Sequence, residues 1–433
     1  MVPVYPLIGA GILVTLYILL TLEVAHRTIV ALVMAGIVLL INVFLGYSSY
    51  TELLYSIDID TILLLMSMMI MVSILSETGF FSLIASKILS KFFNKPYKLA
   101  IVLSGATALI SAFIDNVTTV LIISPIVIEI CKKIKIDPRP LLIMIVFASN
   151  IGGTATLIGD PPNILIGSHA ELGFMDFIYN VAPAVLLVFL VYALIIRLIF
   201  NKWFTEYKNR LRKISIESIK YYVCIDKRKL GKALIPFLVV VFLFTLEDVL
   251  GYPPAVPALI GVGILFVLVG RKIDIEEVLH RVDWTTLVFF IAMFIVIKGV
   301  EKLGLMESIA YGIVGFSTDH RILMLIIVWV SAFISAFVDN IPFVMTMLPV
   351  IDVIANNVAY DITPLYWALS LGSCLGGNGT LIGASANVVV AGIAEKHGYP
   401  ISFRGFIKYG LSVMVVTILV STIYLLVRYG GIM

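Results

Sequence analysis

The sequence carries little charge: only 13% of its 433 residues are charged, whereas 61% are hydrophobic, and the mean hydropathy is +1.10. A soluble globule of this length needs more polar surface than these residues supply. Apolar runs such as residues 8–22, 29–45, 62–76, 181–200 and 412–427 are long enough for helices that cross a hydrocarbon core of about 30 Å. The composition therefore predicts an all-α membrane protein embedded in a lipid bilayer.

Cysteine is also scarce, and the motifs of many soluble enzymes are missing. The three cysteines, at positions 131, 224 and 374, show no CxxC spacing and no nearby His, so neither a disulfide framework nor a zinc site is predicted. No phosphate-binding loop ends in Gly-Lys-Ser/Thr, and no nucleophile is grouped with a base. We expect no enzymatic activity, no cofactor, no resident metal and no nucleic-acid partner.

A duplicated motif is the most informative feature that is present. Ser-Ala-Phe-Ile-Asp-Asn at residues 111–116 recurs as Ser-Ala-Phe-Val-Asp-Asn at residues 335–340, 224 residues later. The same offset carries the Thr-Leu-Ile-Gly sequence at 156–159 onto 380–383 without a gap. The chain is therefore predicted to be a duplicated unit.

The distribution of Lys and Arg predicts how the two units sit in the membrane. Residues 202–232 form a basic linker, which the positive-inside tendency assigns to the cytoplasm. Loops alternate between basic and non-basic on either side of it, and the alternation reverses in the second half. We predict two inverted-topology repeats, residues 1–201 and 233–433, in a multi-pass plasma-membrane protein with both termini outside.

Each repeat is predicted to contain a re-entrant hairpin, at about residues 99–131 and 322–356. Both ends of the first stretch are expected on the cytoplasmic side, although Asp115 and Asn116 lie in its middle. Two full spans would also satisfy this parity. Their turn would lack the Gly, Pro or charge cluster of an exposed loop, which favours the hairpin.

A broken helix is predicted next in each repeat, at about residues 140–170 and 364–395. Three Gly and a Pro-Pro pair interrupt the first, and the second is similarly rich in Gly. Ala384 stands where the first repeat has Asp160. With about five transmembrane helices, one hairpin and one broken helix per repeat, the pattern is typical of secondary transporters.

The candidate substrate- and ion-binding residues are the polar residues and glycines of the hairpin tips and breaks. In repeat 1 they are Asp115, Asn116, Thr118, Thr119, Asn150, Gly152, Gly153, Thr154, Thr156, Asp160 and Asn163. In repeat 2 they are Asp339, Asn340, Gly376, Gly377, Asn378, Thr380, Ser385 and Asn387. Na+ could bind transiently at Asp115, Asn116, Asp339 and Asn340. An ionised Asp at the centre of a membrane helix costs roughly 2.5–3.5 kcal/mol, so the two tip acids need partners, protonation or water.

Two alternative interpretations stay open at this point. Asp115 and Asp339 could cap the half-helices that follow them, a role compatible with ion binding. His169, at the end of the first broken helix, could relay protons or could simply lie near the interface.

The motifs at residues 111–119 and 150–163, the second ending in Gly-Asp-Pro-Pro-Asn, resemble the ion transporter superfamily. The resemblance is to its arsenite permease branch, which includes the pigmentation P protein, and more distantly to citrate-metal and dicarboxylate carriers. The dicarboxylate carriers have Ser-Asn-Thr at the hairpin tip, where this chain has Asp-Asn-Val and Asp-Asn-Ile. The resemblance implies a mobile transport domain, a scaffold that often forms a homodimer, and elevator-like alternating access.

These observations predict an H+- or Na+-coupled secondary transporter. A doubly negative substrate would meet two acids, so we expect a small inorganic ion, a metalloid oxyanion or hydroxide such as arsenite, or a weakly charged anion. Three alternatives remain: a Na+/H+ antiporter, a citrate or dicarboxylate carrier and, in another class, an ion channel.

Overall fold

The computed structural model describes residues 4–212, 226–270 and 274–431. Within these ranges every regular element is a helix, so the predicted all-α membrane class is confirmed. Five helical segments in the described ranges have the length and apolar composition of membrane spans: Arg27–Leu45, Tyr50–Glu77, Ala182–Ile199, Trp284–Lys302 and Phe403–Tyr429. The second of these consists of two consecutive helices separated by residues 55–58. Residues 213–225 of the predicted basic linker lie outside the described residues.

The first half of the chain contains eleven of the described helices and a connecting helix. They are α1 (Val4–Thr21), α2 (Arg27–Leu45), α3 (Tyr50–Leu54), α4 (Ile59–Glu77), α5 (Phe80–Phe92), α6 (Pro96–Ser111), α7 (Asn116–Ile134), α8 (Arg139–Gly153), α9 (Pro161–Ala170), α10 (Phe174–Asn180), α11 (Ala182–Ile199) and the connecting α12 (Asn201–Leu211).

The second half repeats the order of the first. Its described helices are α13 (Lys227–Phe244), α14 (Glu247–Leu250), α15 (Ala255–Val269), α16 (Ile275–His280), α17 (Trp284–Lys302), α18 (Leu305–Phe316), α19 (His320–Ser335), α20 (Asn340–Ala355), α21 (Thr363–Gly376), α22 (Ser385–Lys396) and α23 (Phe403–Tyr429). The predicted repeat boundaries at residues 201 and 233 stay predictions. Helix α12 and the first turn of α13 lie inside the predicted linker, so this segment is partly helical.

The two predicted hairpins are the helix pairs α6–α7 and α19–α20. Their turns are short: α6 ends at Ser111 and α7 begins at Asn116, and α19 ends at Ser335 and α20 begins at Asn340. Pro125 lies inside α7 and Pro349 inside α20. Since proline removes a backbone donor and clashes with the preceding turn, the second limb of each hairpin carries a weak point at the same place.

The two predicted broken helices are α8–α9 and α21–α22, interrupted at residues 154–160 and 377–384. The first limb of each hairpin packs on the first half of its own broken helix, as α6 on α8 and α19 on α21. The second limb packs on the other repeat, as α7 on α22 and α20 on α9. Hairpins and broken helices of both repeats therefore form one unit, which we call the inner bundle, together with α11 and α23.

The remaining long helices form an outer bundle. Helix α2 packs on α17, α15 packs on both α4 and α13, and α1 packs on α2. The amphipathic helices α5 and α18 join the two bundles, because each contacts a hairpin on one side and a long outer-bundle helix on the other. Two glycines set the closest approach inside the inner bundle: a Cβ on Gly152 would lie 2.0 Å from the Ala108 carbonyl oxygen, and one on Gly376 would lie 2.6 Å from the Ala332 carbonyl oxygen.

The substitution Gly152→Val is expected to disrupt folding, because α6 and α8 cannot separate without disturbing the hairpin and break that they support. Overpacking costs about 1–3 kcal/mol and more where backbone is the obstacle. Gly392→Ala in α22 is the matched control, since nothing lies within 4 Å of the added Cβ. Melting temperature and size-exclusion elution of detergent-purified protein measure the effect. Wild-type behaviour of Gly152→Val would contradict the close crossing.

Candidate functional site

Both tip acids cap the helix that follows them. The Thr118 amide donates to Asp115 Oδ1 at 2.8 Å, and the Ile341 amide donates to Asp339 Oδ1 at 3.2 Å. The capping interpretation is therefore correct for both copies. Capping occupies one oxygen of each carboxylate in these contacts, so it does not exclude a second role.

Each hairpin tip is tied to the break of its own repeat. The Thr156 hydroxyl donates to the Ala112 carbonyl, and the Thr380 hydroxyl donates to the Ala336 carbonyl. In the first repeat the Ser149 hydroxyl adds a bond to Ser111 Oγ at 3.1 Å. Thr156 and Thr380, both predicted site residues, thus hold the hairpin tips in position. Each threonine lies 44 residues after the carbonyl that it bonds, so the same contact forms in both repeats.

Two asparagines satisfy the backbone that the breaks expose. Asn163 Nδ2 donates to the carbonyls of Thr154 and Thr156 at 3.0 and 2.8 Å. Asn387 Nδ2 donates to the carbonyls of Gly377 and Thr380 at 2.7 and 2.8 Å. Because unsatisfied carbonyls are costly in a dry interior, these amides hold the breaks open and ordered.

The two breaks are joined to each other across the repeats. Asn150 Nδ2 donates to Asn378 Oδ1 at 3.0 Å and to Asn387 Oδ1 at 3.1 Å. In the opposite direction Ser370 Oγ donates to Asn163 Oδ1 at 2.6 Å, and Cys374, the counterpart of Asn150, lies 3.6 Å from the same oxygen. The site is therefore built from both halves of the chain.

Asp160 is the buried acid at this junction. Its residue is 1% exposed, and Asn116 Nδ2 approaches Oδ1 at 3.4 Å while also donating to Asn150 Oδ1 at 3.3 Å. Asp160 Oδ2 has no hydrogen-bond partner, although Cys374 and Asn340 lie nearby. A carboxylate buried this way requires a proton or a cation to offset its lost hydration.

The second tip acid is compensated by a residue that the sequence analysis missed. Arg27 Nη1 lies 3.3 Å from Asp339 Oδ2 and donates to Ser385 Oγ at 2.7 Å. Arg27 Nη2 donates to Thr286 Oγ1 at 2.8 Å, and its Cζ lies 5.5 Å from the centre of the Phe289 ring. In the described ranges neither Asp115 nor Asp160 forms an ion pair.

A second bridge between the bundles was also missed. Tyr17 Oη lies 2.6 Å from Thr346 Oγ1 and donates to the Pro342 carbonyl at 3.3 Å. Both Tyr17 and Arg27 belong to outer-bundle helices and both contact the second hairpin. The available sequence signal was weak: Arg27 opens a long apolar run, where a basic residue usually anchors the membrane interface.

Two cavities flank the contact between the bundles. One of about 540 Å³ is lined by Arg27, Asp339 and Ser385 and by residues of the α1–α2 turn. The other, of about 560 Å³, contains His169 and Asp352 but none of the predicted hairpin-tip or break residues. His169 Nε2 lies 2.8 Å from Asp352 Oδ2, so this histidine is already paired.

The predicted site residues separate into a central group and a supporting group. The central group is buried and mutually bonded: Asn116, Asn150, Asp160, Asn378 and Asn387. Asn163 is buried beside it and is bonded to Ser370 of the other repeat. The supporting group includes Gly152 and Gly376 at the helix crossings, and Thr154, whose hydroxyl donates to the Asn150 carbonyl at 2.8 Å. Thr119 is buried and lies 3.5 Å from the Ile114 carbonyl, and Asn340 is buried beside the second tip.

Repeated hairpins and broken helices that meet around buried acids and amides define a membrane transporter. The chain belongs to the citrate transporter family, whose model matches residues 17–372. The resemblance to the ion transporter superfamily is thereby confirmed.

Named relatives agree with this family, and a solved structure shares the fold. An uncharacterized transporter of Mycobacterium tuberculosis is 36% identical over 98% of both chains. The human P protein is 35% identical over 98% of this chain, which spans 60% of the P protein's length. The YdaH transporter of Alcanivorax borkumensis matches with a TM-score of 0.64 at 15% identity, covering 94% of this chain and 99% of that one, and so shares the fold.

Replacing Asn163 with Leu is expected to lower the melting temperature of the purified protein by several degrees. The change leaves the carbonyls of Thr154 and Thr156 without their side-chain donor, and each unsatisfied buried group costs about 1–3 kcal/mol. Asn387→Leu should act similarly in the other repeat.

Asn357→Ala is the matched control for both substitutions, because this exposed amide also donates to a carbonyl, that of Val353 at 2.7 Å. Thermal unfolding in detergent measures all three variants. If Asn163→Leu melted like Asn357→Ala, the role of Asn163 in holding the break would be wrong.

Proposed function

We propose that this protein is an H+- or Na+-coupled secondary transporter for a small anion or a metalloid hydroxide such as arsenite. The observation that carries the proposal is the buried Asp160 carboxylate, whose Oδ2 lacks a partner where the two breaks meet. A proton or Na+ bound there offsets the charge, and its arrival and departure supply the coupling. The amide oxygens around it are suitable neutral ligands for a hard cation.

The charge around the site supports an anionic solute better than the sequence predicted. One of the two tip acids, Asp339, is already paired with Arg27. Electrostatic repulsion of a negative solute is therefore expected mainly at Asp115, because Arg27 offsets the charge of Asp339. The family description names citrate transporters, so a citrate or dicarboxylate substrate remains the main alternative within this proposal.

Alternating access in this proposal moves the inner bundle against the outer bundle, with a homodimer as the expected assembly. The cavity containing Asp339 and Arg27 is bordered by the α1–α2 turn, which the charge distribution assigns to the cytoplasm. The two cavities share no lining residue, which favours a carrier over an open channel.

A Na+/H+ antiporter is the second candidate function. It is favoured by one observation: neither Asp115 nor Asp160 forms an ion pair in the described part of the chain, and the two acids are near enough to interact electrostatically. Two unpaired acids in one site can exchange protons for Na+ without an organic or metalloid solute.

Asp160→Asn is expected to abolish gradient-driven transport in proteoliposomes while keeping or raising the melting temperature. The amide is nearly isosteric but needs no counter-charge, so the buried residue becomes easier to accommodate as coupling is lost. Uptake of arsenite and of citrate is measured under an imposed pH or Na+ gradient, with internal pH recorded in parallel.

Glu206→Gln is the matched control, because Glu206 lies on α12 and forms an exposed pair with Arg210. Sodium-driven pH change without either solute would identify the antiporter. Full gradient-dependent transport by Asp160→Asn would remove the basis of the proposed coupling site.

A further inference from the structure

The geometry of the Arg27–Asp339 ion pair differs from that of a tight, permanent ion pair. The pair has one contact, at 3.3 Å, whereas charge-assisted bonds between guanidinium and carboxylate are typically about 2.7–2.9 Å and often bidentate. The two side chains are 28% and 20% exposed. Both line the cavity of about 540 Å³, so a solute in that cavity can reach the guanidinium.

The guanidinium also has contacts that do not involve Asp339. Thr286 accepts from Nη2 at 2.8 Å, and the Phe289 ring lies against the same group. Both belong to α17, which packs on α2 in the outer bundle. Asp339, in contrast, belongs to the hairpin of the inner bundle. Arg27 is thus positioned by residues of the outer bundle and forms its ion pair with a residue of the inner bundle.

We propose that Arg27 binds the anionic group of the transported solute, and that Asp339 is its internal competitor in the empty protein. The inference deepens the proposed transport function and rests on it. The incoming oxyanion replaces the Asp339 carboxylate at Arg27. In the empty protein the Ser385 hydroxyl accepts a hydrogen bond from Arg27 at 2.7 Å and donates one to Asp339 Oδ2 at 3.2 Å. When the solute replaces Asp339, the same hydroxyl can rotate and donate to the solute.

The exchange links anion binding to cation binding. A proton or Na+ that neutralises Asp339 releases Arg27, so the affinity for the anion rises, and by reciprocity the anion raises the affinity for the cation. Glu23 and His26 also line this cavity. Of these three residues, Arg27 is the one that is always cationic, and it is therefore the group to which we assign recognition of the anion.

Among the described residues, the second hairpin has this subsite and the first does not. Ser385 corresponds to Pro161, which has no hydroxyl, and the start of α15, the counterpart of the start of α2 in element order, follows Gly-Tyr-Pro-Pro at residues 251–254 without a basic residue. Asp115 is therefore left without an equivalent arginine. The two halves then have different roles: the anion binds beside Asp339, whose own charge a proton or Na+ offsets, and the coupling cation proposed above binds beside Asp160.

The test measures binding of defined oxyanions to the full-length protein in detergent. Thermal unfolding is recorded with phosphate, acetate and citrate, and with chloride at matched ionic strength. Asp339→Asn frees Arg27 from its competitor, so at least one of the three oxyanions should stabilise this variant more strongly than wild type. Adding Arg27→Gln to Asp339→Asn should abolish the gain.

Two further variants keep the result interpretable. Arg27→Lys retains the charge without the planar fork, so it should keep part of the gain and covers the case in which Arg27→Gln folds poorly. Lys298→Gln removes a basic residue from the other cavity and should leave the gain unchanged.

The proposal is overturned if no oxyanion stabilises Asp339→Asn more than wild type, or if the gain persists after Arg27 is replaced. A negative result for the anion subsite at Arg27 can be distinguished from a negative result for the proposed transport function. Gradient-driven uptake that depends on Asp160 can persist without any anion effect at Arg27, and the reverse outcome would retain the subsite but reject the coupling.

Discussion

Where a helix is interrupted inside a dry helical core, its backbone N–H and C=O groups lose their helical partners and need side-chain partners instead. The rest of this fold depends on that constraint. Asn163 and Asn387 supply the donors for the two breaks, and Thr156 and Thr380 tie the hairpin tips to them. Asn150 then bonds to the opposite break. Neither repeat can complete the site alone, which explains why the hairpins pack on the broken helices of both halves.

Duplication supplies a symmetric frame, and a few substitutions distinguish the two copies at the site. Asp160 corresponds to Ala384, and Asn150 corresponds to Cys374. One break therefore carries a buried acid with an unpartnered oxygen, while the other carries a small apolar residue at the same place. A symmetric site would attract the same ligand twice. In the proposed function, this asymmetry lets one site hold two ligands of opposite charge.

Polar side chains bridge the two bundles at the second hairpin. Arg27 and Tyr17 reach from the outer bundle to Asp339, Ser385 and Thr346, and a cavity lies on that side. A polar, partly wet contact of this kind can be exchanged for other partners at small net cost, unlike the glycine-lined crossings inside the inner bundle. The bundles are thus each tightly packed and joined by replaceable bonds.

The sequence by itself determined the duplication, the hairpins, the breaks and most of the central residues. Gly, Pro and paired polar residues within an apolar run act on neighbouring backbone, so their effect can be read locally. The tertiary structure alone decided that Arg27 pairs with Asp339, 312 residues away, and that Tyr17 and Ser370 join the site. Charge compensation depends on distance through space, and no local pattern records which distant helix brings the opposite charge.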